Sequence, residues 1–232
     1  AEAGEALATS KRVAKLSFTG STETGRKVMH NAAENIIPLT LELGGKSPNV
    51  FFSSVADQDD NFFDKAIEGA LMFALNQGEI CTSPSRILVQ EDIADKFIEK
   101  MQERLAAVKT GHPLDPETMI GSQVSKAQFE KIMNYIKIGR EEGAEVLAGG
   151  EAGNYEGEIK DGYYIQPTVL KGKNDMRVFQ EEIFGPVVSL TTFKTVEEAI
   201  ELANDTAYGL GAGVWSRDAH ELYQVPRAIQ AG

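Results

Sequence analysis

The stretch Ile37-Pro38-Leu39-Thr40-Leu41-Glu42-Leu43-Gly44-Gly45-Lys46-Ser47-Pro48-Asn49-Val50-Phe51-Phe52 decides the fold. Ile37, Leu39, Leu41 and Leu43 occupy every second position, the period of a strand with one apolar face, so Thr40 and Glu42 point the other way. Gly44-Gly45 ends that strand, and residues 48–52 read as another. Upstream, residues 12–18 form a short strand and residues 20–25 a polar, glycine-bounded turn. A helix follows over 24–34, with Val28, Met29, Ala32 and Ala33 at helical spacing.

Downstream, Phe63, Ala66, Ile67, Ala70, Leu71 and Ala74 line one face of a helix over 62–75. A glycine-containing loop over 76–81 leads to a buried strand at 87–89. Residues 91–108 carry the stripe Ile93, Phe97, Met101, Leu105 and Val108 behind an acidic start. A capping box, Ser125-x-x-Gln128, opens a helix over 125–142 that Gly143 closes. Strands follow at 146–147, 163–170 and 187–193, with residues 149–162 a surface excursion. A second capping box, Thr195-x-x-Glu198, opens a helix to about 204. The last strand spans 211–215, and Pro226 should kink or end a helix from 218. Strands alternating with helices predict an α/β fold with a largely parallel sheet.

Composition narrows the class. The 232 residues are 42% hydrophobic and 25% charged, which excludes a collagen, a disordered tail and a disulfide-stapled miniprotein. Thirty-five acidic against 23 basic residues give a net charge of -12, a surface that repels nucleic acid. No apolar run approaches the roughly 20 residues of a membrane span, and the start lacks a signal-peptide core. The single cysteine forms no internal disulfide, so a reducing cytoplasm is the default compartment. The start without Met and the abrupt stop at Gly232 suggest a piece of something longer.

Four segments could carry chemistry, each with a plain alternative. Gly20-Ser-Thr-Glu-Thr-Gly25-Arg26-Lys27 lacks the Lys-Ser/Thr pair of a nucleotide-hydrolase phosphate loop. What survives is a strand, a turn and a helix N-terminus able to take a phosphate, or a tight turn alone. Cys81 is a nucleophile or a small buried hydrophobe. His30, His112 and His220 show no Cys–His signature or metal-ligand spacing, so no metal is expected. Glu42 is a desolvated general base, or faces water from a half-buried strand. Glu181-Glu182-Ile183-Phe184-Gly185-Pro186 offers a carboxylate for ribose hydroxyls and an aromatic face for a nicotinamide, or is a solvated turn.

In register, these segments resemble the NAD(P)-dependent aldehyde dehydrogenase superfamily. The resemblance rests on Phe18-Thr-Gly20-Ser21-Thr-x-x-Gly25-Arg26, Leu41-Glu42-Leu43-Gly44-Gly45-Lys46-Ser47-Pro48, Asn76-Gln77-Gly78-Glu79-Ile80-Cys81-x-x-x-x-Arg86 and Glu182-Ile183-Phe184-Gly185-Pro186. It extends through Asn204-x-x-x-Tyr208-Gly209-Leu210 to Gln230-Ala231-Gly232. It implies Cys81 as nucleophile and Glu42 as general base. It implies cofactor contacts at Gly20, Ser21, Gly25, Leu43, Glu182 and Phe184, with Lys46 and Arg86 structural. The cofactor implied is NAD, with NADP open, and the parent would be a homodimer or homotetramer.

Family members are about twice this length. Residues 1–43 would be the end of a Rossmann-like cofactor domain, its last strand–helix–strand. Residues 44–232 would be the catalytic domain without its C-terminal end, and the isolated piece would be inactive. Glu79 stands where the motif usually has Gln, and residues 56–63 hold extra length. With Phe62-Phe63-Asp64-Lys65-Ala66 and Asn134-Tyr135-Ile136, these features look like the bacterial acetaldehyde and chloroacetaldehyde branch, implying a short aliphatic aldehyde. A CoA-acylating relative and a non-enzymatic structural protein on the same fold are the alternatives.

Overall fold

Alternation over residues 37–43 becomes a strand at Leu39–Glu42, in which Thr40 and Glu42 are exposed and Leu39 and Leu41 half-buried. The computed structural model that shows this describes residues 2–232. The chain divides into two units, Ala1–Gly44 and Gly45–Gly232.

The first unit runs α1 (Glu2–Ala8), β1 (Leu16–Thr19), α2 (Thr22–Ala33) and β2 (Leu39–Glu42). β1 and β2 pair in parallel, Leu16 opposite Leu39 and Thr19 opposite Glu42. The intervening helix makes this a strand–helix–strand crossover. α2 begins two residues before its expected start, because Ser21 caps it and its Oγ accepts the Thr24 N–H at 3.2 Å. The strand expected from residue 12 starts at Leu16, since Val13 is held in a turn by the Ser10 carbonyl. α1 escaped the sequence reading: it is rich in Ala and Glu, good helix formers, but buries only Ala8 and so lacks an apolar stripe.

The second unit contains β3 (Pro48–Phe51), α3 (Asn61–Leu71), β4 (Arg86–Gln90), α4 (Ala94–Ala106), α5 (Lys126–Glu141) and β5 (Glu145–Ala148). It continues with β6 (Thr168–Lys171), α6 (Arg177–Gln180), β7 (Val187–Phe193), α7 (Val196–Asn204), β8 (Gly213–Trp215) and α8 (Ala219–Ala228). Its six-stranded sheet has the order β5-β6-β7-β4-β3-β8. Every neighbouring pair is parallel except the edge pair β5–β6.

Helices cover both faces. Phe51, Ile87, Val89, Val188 and Leu190 pack against α3 and α4 through Phe63, Ile67, Phe97 and Met101. Val50, Phe52, Leu88 and Phe193 pack on the opposite side with Ala199 and Ala203 of α7 and Val225 of α8. Ile132 and Ile136 of α5 join Val178, Phe179 and Val187 in a third cluster. A central strand buried on both sides has no polar face to expose, which is why β3 and the first four residues of β4 are continuously buried.

Several boundaries move for identifiable reasons. The strand expected over 163–170 starts at Thr168, preceded by Pro167, which has no N–H for the ladder. α8 contains Pro226 but ends two residues later, so the missing N–H costs only a bond in the last turn. α3 stops at Leu71 instead of 75. Residues 72–78 then tighten, turn extended at Leu75, and go left-handed at Asn76, Gln77 and Gly78. Among the described residues, no helix is long and apolar enough to cross a membrane.

Candidate active site

Within the first unit, five of the expected site residues lie together. The Gly20 N–H donates to the Glu42 carbonyl at 3.0 Å, tying the start of the turn to the end of β2. Gly25 is packed so closely on Leu43 that a Cβ there would lie 2.5 Å from Leu43 Cδ2. Ser21 caps α2 through Thr24. A strand end, a capped turn and a helix N-terminus thus converge, with Leu43 packed beneath the helix. The Glu42 side chain is exposed at the end of β2.

In the second unit, the loop that brings Cys81 to the surface is built from strained backbone. Asn76 (φ 49°), Gln77 (φ 58°) and Gly78 (φ 70°) are left-handed in succession, a conformation that costs non-glycine residues free energy. The surroundings hold it there. Asn76 Nδ2 donates to the Glu79 carbonyl at 3.2 Å. Gln77 Oε1 accepts the Gly121 N–H at 3.3 Å, and Gln123 Nε2 donates to the Gln77 carbonyl at 3.4 Å. Glu79 Oε1 accepts the Val124 N–H at 3.0 Å. Residues 121–124 therefore strap the loop from outside. Cys81 is half-buried with a free thiol, not the fully buried hydrophobe of the alternative reading. Among the described residues, its backbone N–H has no hydrogen-bond partner.

The turn after α6 meets this loop at two glycines. The Gly45 N–H donates to Glu182 Oε1 at 3.1 Å, and a Cβ on Gly45 would lie 2.7 Å from the Cys81 carbonyl oxygen. A Cβ on Gly78 would overlap the Gly185 backbone. Gly45 thus contacts both Cys81 and Glu182, and Gly78 seats the Gly185 side of the turn.

The two carboxylates of the turn have different surroundings. Glu181 receives the Arg177 guanidinium at 2.7 and 3.0 Å and the Tyr135 hydroxyl at 2.6 Å. Burial, helped by that carboxylate, pushes Tyr135 up to about 12, so it remains a donor. Glu182 is held only through Oε1, and among the described residues its Oε2 has no partner. Of the pair, Glu182 is the one left able to accept from a ligand. Phe184 beside it is left-handed (φ 59°) and half-exposed.

Gln128 explains how that strain is sustained, and only half of its expected capping box forms. Its N–H bonds Ser125 Oγ at 3.2 Å, but its side chain donates to the Ile183 and Phe184 carbonyls at 3.1 and 2.6 Å. The sequence reading missed this role because a Gln at a capping position looks fully employed by its own helix.

Arg86 is completely buried. It donates to the carbonyls of Lys46, Leu202 and Ala203 and to Asn174 Oδ1, at 2.8 to 3.2 Å. Burial lowers it to about 10, which leaves it charged at neutral pH. Lys46 is 1% exposed, and its Nζ has no partner among the described residues. Burial, aided by the Arg86 charge, pushes it down to about 7 despite the opposing pull of Glu182 and Glu181. His112 is half-buried, and its Nδ1 accepts the Leu114 N–H at 3.1 Å.

An apolar groove of about 260 Å³ runs along the end of α3 and the entry to the Cys81 loop, lined by Leu71, Met72, Leu75, Val108, Met119 and Ile120.

The profile of the aldehyde dehydrogenase family matches residues 1–232. The chain belongs to the aldehyde dehydrogenase family. It is 62% identical over 232 residues to a long-chain-aldehyde dehydrogenase of an Acinetobacter species, covering 100% of this chain and 46% of that protein. It is 60% identical over 231 residues to acetaldehyde dehydrogenase 2 of Cupriavidus necator, with the same coverage. Among solved structures, the NAD+ complex of betaine aldehyde dehydrogenase from Staphylococcus aureus superposes with a TM-score of 0.93 at 38% identity. That match covers 99% of this chain and 44% of that one. The chain therefore spans about half the length of the curated relatives it matches, and its fold is that of the aldehyde dehydrogenases.

Proposed function

We propose that the complete protein oxidises an aldehyde to a carboxylic acid with a nicotinamide cofactor, through a thioester on Cys81. The observation that carries this reading is the Cys81 loop. It presents a free thiol and an unpaired N–H on a strained loop, joined through Gly45 to the one carboxylate of the 181–182 pair with an open oxygen.

The donor set suits a dinucleotide. The Ser21-capped start of α2 suits a phosphate, Glu182 Oε2 the ribose hydroxyls, and the Phe184 ring the nicotinamide face. On this assignment, residues 1–43 belong to the cofactor domain and residues 44–232 to the catalytic domain. The bound dinucleotide, NAD or NADP, supplies the hydride acceptor. Cys81 Sγ, as the thiolate, forms a bond to the carbonyl carbon, and the resulting oxyanion takes a hydrogen bond from the Cys81 N–H. Once the hydride has left that carbon, a thioester remains. Glu42 takes a proton from water, the hydroxide adds to the thioester carbon, and the C–S bond breaks to return the thiolate and release the acid.

Relatives of nearly equal identity carry the names of both a short and a long aldehyde. We take the short aliphatic class on Glu79 and the 56–63 segment. A reducing cytoplasm and a homo-oligomeric assembly complete the proposal. A CoA-acylating reaction would need CoA in place of the water that Glu42 activates.

The test uses the longest polypeptide that carries this chain. Cys81→Ala should lower the rate of NADH formation from acetaldehyde at least about a thousandfold. Acetate rather than an acyl-CoA should be the product when CoA is present, and kcat/KM should fall as the aldehyde chain lengthens. The 232-residue chain alone should form little NADH. Retained turnover in Cys81→Ala would sink the nucleophile assignment.

A further inference from the structure

Two segments of the site have left-handed backbone, and one short stretch of chain holds both. Asn76, Gln77 and Gly78 precede Cys81, and Phe184 follows Glu182. Residues 121–124 cross the first segment. The Gly121 N–H donates to Gln77 Oε1, Gln123 Nε2 to the Gln77 carbonyl, and the Val124 N–H to Glu79 Oε1. The next residue, Ser125, caps α5, and Gln128 in its first turn donates its side-chain amide to the Ile183 and Phe184 carbonyls at 3.1 and 2.6 Å. In every one of these bonds the 121–128 stretch supplies the donor and the site supplies the acceptor.

That stretch has anchors of its own. The Gln123 N–H donates to the Tyr163 carbonyl at 2.9 Å, and the Tyr163 N–H returns to Ser122 Oγ at 2.9 Å. The Phe129 ring packs on Tyr163, with centroids 6.1 Å apart. Ile132 and Ile136 bury the next turns of α5 in the cluster that contains Leu170 and Val187 of the sheet. A Cβ on Gly185 would overlap the Ile132 side chain, so α5 also backs the Phe184 turn from below. Left-handed non-glycine residues persist only where their surroundings over-determine them. For Gln77 and Phe184 those surroundings are one continuous piece of chain.

We propose that residues 121–128 are a single brace between the Cys81 loop and the turn bearing Glu182 and Phe184, and that Gln128 is a positioning residue for the thiol through it. The proposal rests on the reading of Cys81 as nucleophile and of that turn as the cofactor's. Among the described residues, no hydrogen bond of Gln128 reaches residues 76–81. Its effect on Cys81 passes through the Ser125-capped start of α5 to Val124 and Glu79, and through Gly185 to Gly78. Thiol and hydride acceptor must keep one mutual geometry, which a brace common to both sides sets. Releasing either end therefore loosens the other.

The first experiment is amide hydrogen exchange without cofactor, in the longest polypeptide that carries this chain. The Glu79 and Val187 N–H groups, bonded to the Asn76 and Gly185 carbonyls, report on the loop and the turn. Gln128→Met keeps the side-chain volume and helix preference but withdraws the donor. Exchange should quicken in both reporting peptides, by up to about tenfold, the scale of one lost hydrogen bond. Glu79→Ala should likewise quicken the turn as well as its own loop, since coupling is reciprocal. Gln77→Asn is a second loop variant: asparagine tolerates the left-handed backbone, and its shorter side chain withdraws the acceptor from Gly121. Faster exchange confined in each variant to the segment that it touches overturns the proposal.

The second readout is kcat for acetaldehyde at saturating NAD+ in the same polypeptide. Gln128→Met should lower it about tenfold or more. Combined with Glu79→Ala, it should lose about as much as the larger single loss, because either substitution already releases the brace. Independent props would multiply their losses, and that result overturns the proposal. So does a raised KM for NAD+ with kcat unaltered in Gln128→Met, which would confine Gln128 to the cofactor side. The underlying reading fails separately: turnover retained in Cys81→Ala removes the nucleophile, whereas the exchange experiment reports on the brace without cofactor or turnover.

Discussion

Arg86 shows how one residue can belong to the motif without belonging to the chemistry. Its five N–H donors meet three carbonyls and one amide oxygen drawn from residues 46, 174, 202 and 203. Replacing it with methionine leaves those four acceptors buried without a donor, at a cost of about 3 kcal/mol or more. Urea unfolding of the 232-residue chain should show that loss as a lowered midpoint with an unaltered slope. A change below about 1 kcal/mol would mean that the acceptors find other donors. Glu42 and Glu182 make the complementary point. Both are carboxylates in motif positions, but neither is buried, and what distinguishes Glu182 from Glu181 is the oxygen left without a partner. That distinction is invisible in the sequence, where the two glutamates are adjacent and equivalent.

At the scale of elements, the Cys81 loop and its strap form the working part. Glu79, where the family motif usually has glutamine, accepts the Val124 N–H through one carboxylate oxygen. Glutamine has the same acceptor, so the geometry calls for an acceptor and not for a charge. Glu79→Ala should lower kcat by roughly tenfold to a hundredfold, the scale of a small misplacement of the nucleophile. Glu79→Gln should restore most of the rate. Equal losses in both variants would point to the charge instead.

The regular elements around this loop were legible because period and punctuation agreed. The strand at residues 187–193 and the helix that the Thr195 cap opens fall where the sequence reading places them. The end of α3 was not legible: residues 72–75 continue the apolar pattern of the helix, and the left-handed turn after them is sustained by tertiary hydrogen bonds from residues 121–124 together with the Asn76–Glu79 bond. α6 escaped notice because four residues are too few to show a helical period.

For the whole molecule, the sequence carried the layer arrangement of the second unit, since buried strands alternating with amphipathic helices admit little else. It did not carry the partnership of Gln128 with the Phe184 turn, or of Gly45 with both Cys81 and Glu182, because those contacts join segments 36 to 137 residues apart. The chain spans under half the length of its relatives, so its chemistry has to be tested in the complete polypeptide. The central claim is that Cys81 carries the acyl group. The most direct measurement incubates the Glu42→Gln form of that polypeptide with acetaldehyde and NAD+, quenches in acid and maps the peptides by mass spectrometry. One acetyl group per chain, on the peptide containing Cys81, is the predicted result. An unmodified Cys81 after a burst of NADH, or an acetyl group on any other residue, would contradict it.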